Sequence, residues 1–95
     1  MAAEPKFEWD PRKALNNMDK HGVSFEEAAT VFHDPQFITV IDEEHSADEE
    51  RFITIGLSNE GRLLMLAHAD RGERIRIISA RKATRKEEQF YAEAA

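Results

Sequence analysis

The sequence predicts a single α+β domain in which an antiparallel meander sheet packs against two N-terminal helices and one C-terminal helix. Three observations carry this expectation. Ninety-five residues cannot bury two hydrophobic cores, so one domain is expected over 1–95. Helix-start signals cluster towards the two ends of the chain. Between them lie β-branched and aromatic runs separated by short glycine-containing connectors.

Phe7-Glu8-Trp9 alternates apolar and polar and stops at Asp10-Pro11, an N-cap followed by a proline in the first helical turn. A short strand therefore leads into helix one, with Ala14, Leu15 and Met18 marking its buried side. His21-Gly22 ends that helix, because glycine accepts the left-handed conformation a helix terminus needs. Ser24-Phe25-Glu26-Glu27 reads as a capping box, and Phe25, Ala28, Ala29 and Phe32 repeat at helical spacing until Asp34-Pro35 closes helix two.

Phe37 to Ile41, Arg51 to Leu57, Leu63 to His68 and Arg74 to Ala80 then read as four strands in meander order. Ser58-Asn59-Glu60-Gly61 and Asp70-Arg71-Gly72-Glu73 have hairpin length, which predicts antiparallel neighbours. Leu63-Leu64-Met65-Leu66 is apolar on both faces, as a central strand requires. Thr84-Arg85-Lys86-Glu87 repeats the capping-box pattern and starts a last helix from about residue 85 to near the C-terminus.

The chain has no cysteine, which excludes a disulfide framework, a thiolate zinc site and a cysteine nucleophile. No apolar run approaches the roughly 20 residues needed to span a bilayer, and residues 1–10 lack the pattern of a signal peptide, so a cytoplasmic protein without a membrane partner is expected. A net charge of −6 argues against phosphate binding by the molecule as a whole. Its distribution argues otherwise: six acids and no base lie between Asp42 and Glu50, whereas seven bases and one acid lie between Arg71 and Lys86.

That basic segment contains the first chemical candidates. Period-two alternation places Arg74 and Arg76 on one face of the last strand and Ile75, Ile77, Ser79 and Arg81 on the other, while Ile78 beside the arginine face suggests either a bulge or burial on both sides and leaves the facing of Arg81 open. Guanidinium groups held on a sheet can grip a phosphate bidentately, although a solvated arginine face without a ligand has the same composition. Lys20-His21 combines a cation with a proton carrier at a helix end, where both residues could equally serve as a simple C-cap. His33 and His68 sit beside core positions and read as structural. His45 lies inside the acidic segment, which lacks the spacing of a calcium loop; no H-E-x-x-H is present, and no metal or other cofactor is expected. Tyr91 could donate a proton or simply pack.

Metal-free RNA cleavage needs a base for the 2′-hydroxyl, cations for the charge developing at phosphorus, and an acid for the departing 5′-oxygen. Lys20 or His21 could move protons, and Arg51, Arg76 and Arg81 could hold phosphate.

Four stretches carry a family resemblance: Phe7-Glu8-Trp9-Asp10, the run from Lys20 to Ala28, His45-Ser46 with Glu49-Glu50-Arg51, and the run from Arg76 to Arg81. With the tail from Glu88 to Tyr91 they span nearly the whole chain in order, and the pattern resembles the BrnT toxins, the ribonuclease half of type II toxin-antitoxin pairs. The resemblance implies a RelE-like fold, RNA cleavage that inhibits translation, and a BrnA-type antitoxin through which alone operator DNA is reached. RNA is then the substrate, with the ribosome as a conceivable further partner. Carried onto this sequence, it points to Lys20, His21, Arg51, Arg76, Arg81 and Tyr91 as the site. A nucleic-acid-binding module without catalysis and a protein-interaction domain remain as alternatives, since the basic strand would serve either.

Overall fold

The computed structural model describes residues 5–94, so the expectation about a leader falls partly outside it. In chain order the elements are β1 (Lys6–Glu8), α1 (Pro11–His21), α2 (Phe25–Ala29), a 3-10 turn (Thr30–His33), β2 (Ile38–Ile41), β3 (Arg51–Leu57), β4 (Leu63–Arg71), β5 (Arg74–Lys82) and α3 (Arg85–Ala94). No helix among these residues is long and apolar enough to cross a membrane.

The sheet runs β1-β5-β4-β3-β2 and is mixed, which corrects the expected purely antiparallel sheet. Strands β2 to β5 do form the predicted antiparallel meander. β1, however, joins the far edge parallel to β5, pairing Lys6 with Arg74 and Glu8 with Arg76. The physical reason is that a hairpin is specified by its turn, whereas the β1 partner lies 68 positions away and is reached only when the helices dock. Phe7 contributes to that docking through its ring contact with Phe32, 5.4 Å between centroids.

α1 begins as expected, with the Asp10 carboxylate accepting from the Arg12 amide at 2.8 Å, and ends on Gly22 at φ 68°. Its buried side differs from the expected one, because Leu15 is 70% and Met18 50% exposed. Ala14 packs against the core as expected, and the inward stripe continues through Asn17 and His21, also at helical spacing. Asn17, a polar residue that composition would place outside, is buried and locks α1 to β5. α2 is shorter than predicted, since its last turn tightens into the 3-10 segment before Asp34.

Val23, Phe25, Ala28 and Val31 pack against Leu64, Leu66, Ile77 and Ala80 to form the core. α1 and α2 therefore cover one face of the sheet. α3 does not join them, which corrects the expected arrangement. Glu87 near its start holds Arg81, on the other face, and Tyr91 further along bonds Asp34. The capping box at Thr84 is reciprocal: its hydroxyl accepts from the Glu87 amide at 3.2 Å, and its own amide donates to the Glu87 carboxylate at 2.8 Å. The box at Ser24 is half made, because Glu27 turns away to Arg62 and Ser58.

Candidate functional site: an arginine face with an acidic rim

The strand register determines which side chains share the face opposite α1 and α2. Arg51 stands beside Ala69, and Ala69 beside Arg76; one end of the face adds Met65 beside Arg81. Arg76 and Arg81 are five residues apart, so in a regular strand they would point to opposite faces. The register shift between Ala67 and His68 of β4 leaves Ile78 as one extra residue in β5, and this bulge returns Arg81 to the face of Arg76. The structure thus brings Arg51, Arg76 and Arg81 onto one surface.

Each arginine has a different environment. Arg76 donates to the Glu8 carboxylate at 3.1 Å, with both side chains about 30% exposed. Arg81 meets Glu87 through two parallel bonds of 2.8 and 3.0 Å. That guanidinium holds the Glu87 carboxyl below its usual range, with the Thr84 amide adding to the effect against the opposing influence of burial. Arg51 makes no ion pair among the described residues, and it lines a cleft of about 330 Å³ with Arg81, Ser79, Met65, Ile53 and His45.

The cleft's other wall is the loop between β2 and β3. The Asp42 amide donates to the Arg51 carbonyl at 2.8 Å, extending the ladder by one bond. Ser46 then pins the loop at both ends: its hydroxyl donates to the Asp42 carbonyl at 2.6 Å and accepts from the Arg51 amide at 3.0 Å. Between these anchors one 3-10 turn, Glu43–His45, places the His45 ring so that Nδ1 lies 2.9 Å from Asp42 Oδ2. The acidic segment is thus in part a folded wall. Glu49 leaves it to pair with Arg71 at 3.2 Å. Among the described residues no group of three or more His, Asp or Glu side chains could hold a metal ion.

The remaining candidates lie elsewhere. Lys20 and His21 end α1, on the layer that covers the opposite face of the sheet. Tyr91 donates to Asp34 Oδ2 at 2.6 Å, and this bond with burial pushes the phenol up to about 12. Asp34 is partly buried, which alone would raise its carboxyl; the bonds from Tyr91 and the amides of Leu57 and Gln36 outweigh burial and hold it below its usual range. His68 is in the core, with Nε2 2.6 Å from the Thr54 hydroxyl and its ring stacked on Phe52. Sequence reasoning gave His45 no role; the usable signal was Asp42-x-x-His45, whose spacing lets a carboxylate meet an imidazole across one tight turn.

The α+β fold matches a known structure. The crystal structure of the Brucella abortus ribonuclease toxin BrnT superposes on this chain with a TM-score of 0.67 at 24% identity, covering 85% of this chain and 99% of that one. The family description "Ribonuclease toxin, BrnT, of type II toxin-antitoxin system" matches residues 9–87, and the chain belongs to that family. No curated protein sequence matches it.

Proposed function

We propose that this chain is an endoribonuclease toxin that cuts RNA without a metal ion, thereby inhibiting translation, and that a BrnA-type antitoxin silences it. The family supports the ribonuclease and antitoxin parts of this reading. The observation that carries the site is the shared face of Arg51, Arg76 and Arg81. Guanidinium groups on paired strands are held in fixed relative positions, so they can stabilise charge developing on a phosphodiester without reorganising. Arg51 and Arg81 grip the scissile phosphate in the cleft, and Arg76 holds a neighbouring one. Lys20, His21 and Tyr91 have no place in this arrangement.

Induced expression in a bacterium, with and without the adjacent open reading frame, tests the reading. Growth arrest with RNA breakdown, relieved by the neighbour, is the expected result, and cleavage by purified protein should persist in EDTA. Intact RNA and normal growth at a verified level of folded protein would sink it. Salt-sensitive RNA binding without cutting would favour a binding module.

A further inference from the structure

We propose that His45 is the proton carrier of the RNA cleavage reaction, with Asp42 and Ser46 as its positioning residues. This rests on the ribonuclease reading above and names the group that reading lacks. Of the four histidines in the chain, His45 lines the cleft that Arg51 and Arg81 share. His21 ends a helix on the opposite layer, and His68 is sealed among Phe52, Phe32 and Thr54. His33 closes the 3-10 turn beside Asp34, Leu57 and Asn59.

The geometry fits the role in three ways. A carboxylate oxygen only accepts, so the 2.9 Å contact with Asp42 places a hydrogen on Nδ1, and in the neutral ring the lone pair is then the one on Nε2. The His45 side chain is 60% exposed while that of Asp42 is 13% exposed, so the reacting ring meets solvent and substrate while its orienting partner is sheltered. Ser46 ties the turn to the backbone of Arg51, so the base and the phosphate-binding cation move as one unit. Glu44 shares the rim, and its charge must be outweighed by Arg51 and Arg81 when RNA binds.

In the reaction His45 Nε2 takes the proton of the 2′-hydroxyl, the 2′-oxygen bonds to phosphorus, and the bond from phosphorus to the 5′-oxygen breaks. The 5′-oxygen takes a proton from water, and the hydroxide so formed receives the proton from His45. The products are a 2′,3′-cyclic phosphate and a 5′-hydroxyl. General-base catalysis of this kind contributes about 10²- to 10⁴-fold.

The test is steady-state cleavage of a labelled RNA oligonucleotide by the purified chain and by His45→Ala, Asp42→Ala and Arg51→Ala, with thermal melting to verify the fold. His45→Ala is expected to lose at least about 100-fold in kcat while KM stays within about twofold. Asp42→Ala is expected to lower kcat by at least about tenfold, again with KM preserved, because the loop anchors use the main chain of Asp42 rather than its carboxylate. Arg51→Ala should raise KM as well. A folded His45→Ala protein that cleaves within about threefold of the parent, while Arg51→Ala does not, overturns the assignment of the base and leaves the ribonuclease reading standing. A parent chain that cuts no RNA overturns both.

Discussion

The side-chain amide of Asn17 occupies both hydrogen-bonding groups of Ala80, 63 positions later in the chain: Nδ2 donates to the carbonyl at 2.8 Å, and Oδ1 accepts from the amide at 3.0 Å. β1 is too short to reach Ala80, which faces outward from the β5 edge at that point, and the asparagine supplies what a neighbouring strand would. Nδ2 also donates to the Val23 carbonyl at 2.9 Å, fixing the turn between α1 and α2. Asn17→Ala leaves these buried groups without partners and is expected to cost about 3 kcal/mol. Asn17→Asp keeps the acceptor, loses both donors and should be comparably damaging. Urea unfolding measures both, and a loss below about 0.5 kcal/mol in each would contradict the account.

Acid should destabilise the protein in two stages. Burial pushes the His68 imidazole below its ordinary 6.5, only partly offset by Asp70. A group whose folded pKa is depressed contributes stability above its unfolded value and loses it as pH falls towards the folded one, so the first loss begins just below about pH 6.5. The second begins near the carboxylate range. Glu27 is held below its usual value chiefly by its bond from Arg62, with Ser58 assisting against burial, and Asp34 and Glu87 are shifted in the same direction. Thermal melts between pH 7 and 3 are expected to show both stages, and His68→Gln should remove the upper one alone.

Tyr91 anchors α3. Tyr91→Phe removes its bond to Asp34 and is expected to cost about 1 kcal/mol, seen as a lower melting temperature. Since the phenol lies outside the cleft, kcat for RNA cleavage should stay within about twofold. A loss of 100-fold or more in a folded Tyr91→Phe protein would return the tyrosine to the chemistry.

Under the proposed function, Glu87 competes with RNA for Arg81. The bidentate pair has to open, or share its guanidinium, when a phosphate enters the cleft. Glu87→Gln removes the competing charge, so RNA affinity is expected to rise several-fold, with a steeper dependence on salt. Titration of a non-cleavable 2′-deoxy oligonucleotide at two salt concentrations checks this, and unchanged affinity would mean that Arg81 does not bind phosphate. Removing Arg62 acts on the fold instead: Arg62→Ala strands a carboxylate that is 4% exposed and should cost about 2 kcal/mol or more.

What the sequence made legible was local. The start of α1, the glycine that ends it, the reciprocal cap at Thr84 and the two hairpins are each specified within a few residues, and each formed where the pattern predicted. Gly72, at φ 64°, lets β4 turn into β5 through only two residues. The parallel attachment of β1 and the placement of α3 were not legible, because each depends on contacts dozens of positions apart. The misplaced buried side of α1 has the same origin: Leu15 and Met18 are the more hydrophobic choice, but the partners of Asn17 lie at Val23 and Ala80. At the site, the arginines could be named from the sequence, whereas their shared face required the register. His45 was hidden by its neighbours, since a histidine among acids reads as solvated loop until Ser46 is seen to close that loop.

The surplus residue in β5 makes the arginine surface a matter of parity. Deleting Ile78 would leave the strand's composition almost unchanged, yet it would restore regular alternation and turn either Arg76 or Arg81 towards the apolar layer. No substitution at Ile78 can have that effect, because substitutions conserve the count. The side chain at this position, which lines the cleft, can therefore change without turning the arginines, whereas the loss of a single codon there would separate the two cations.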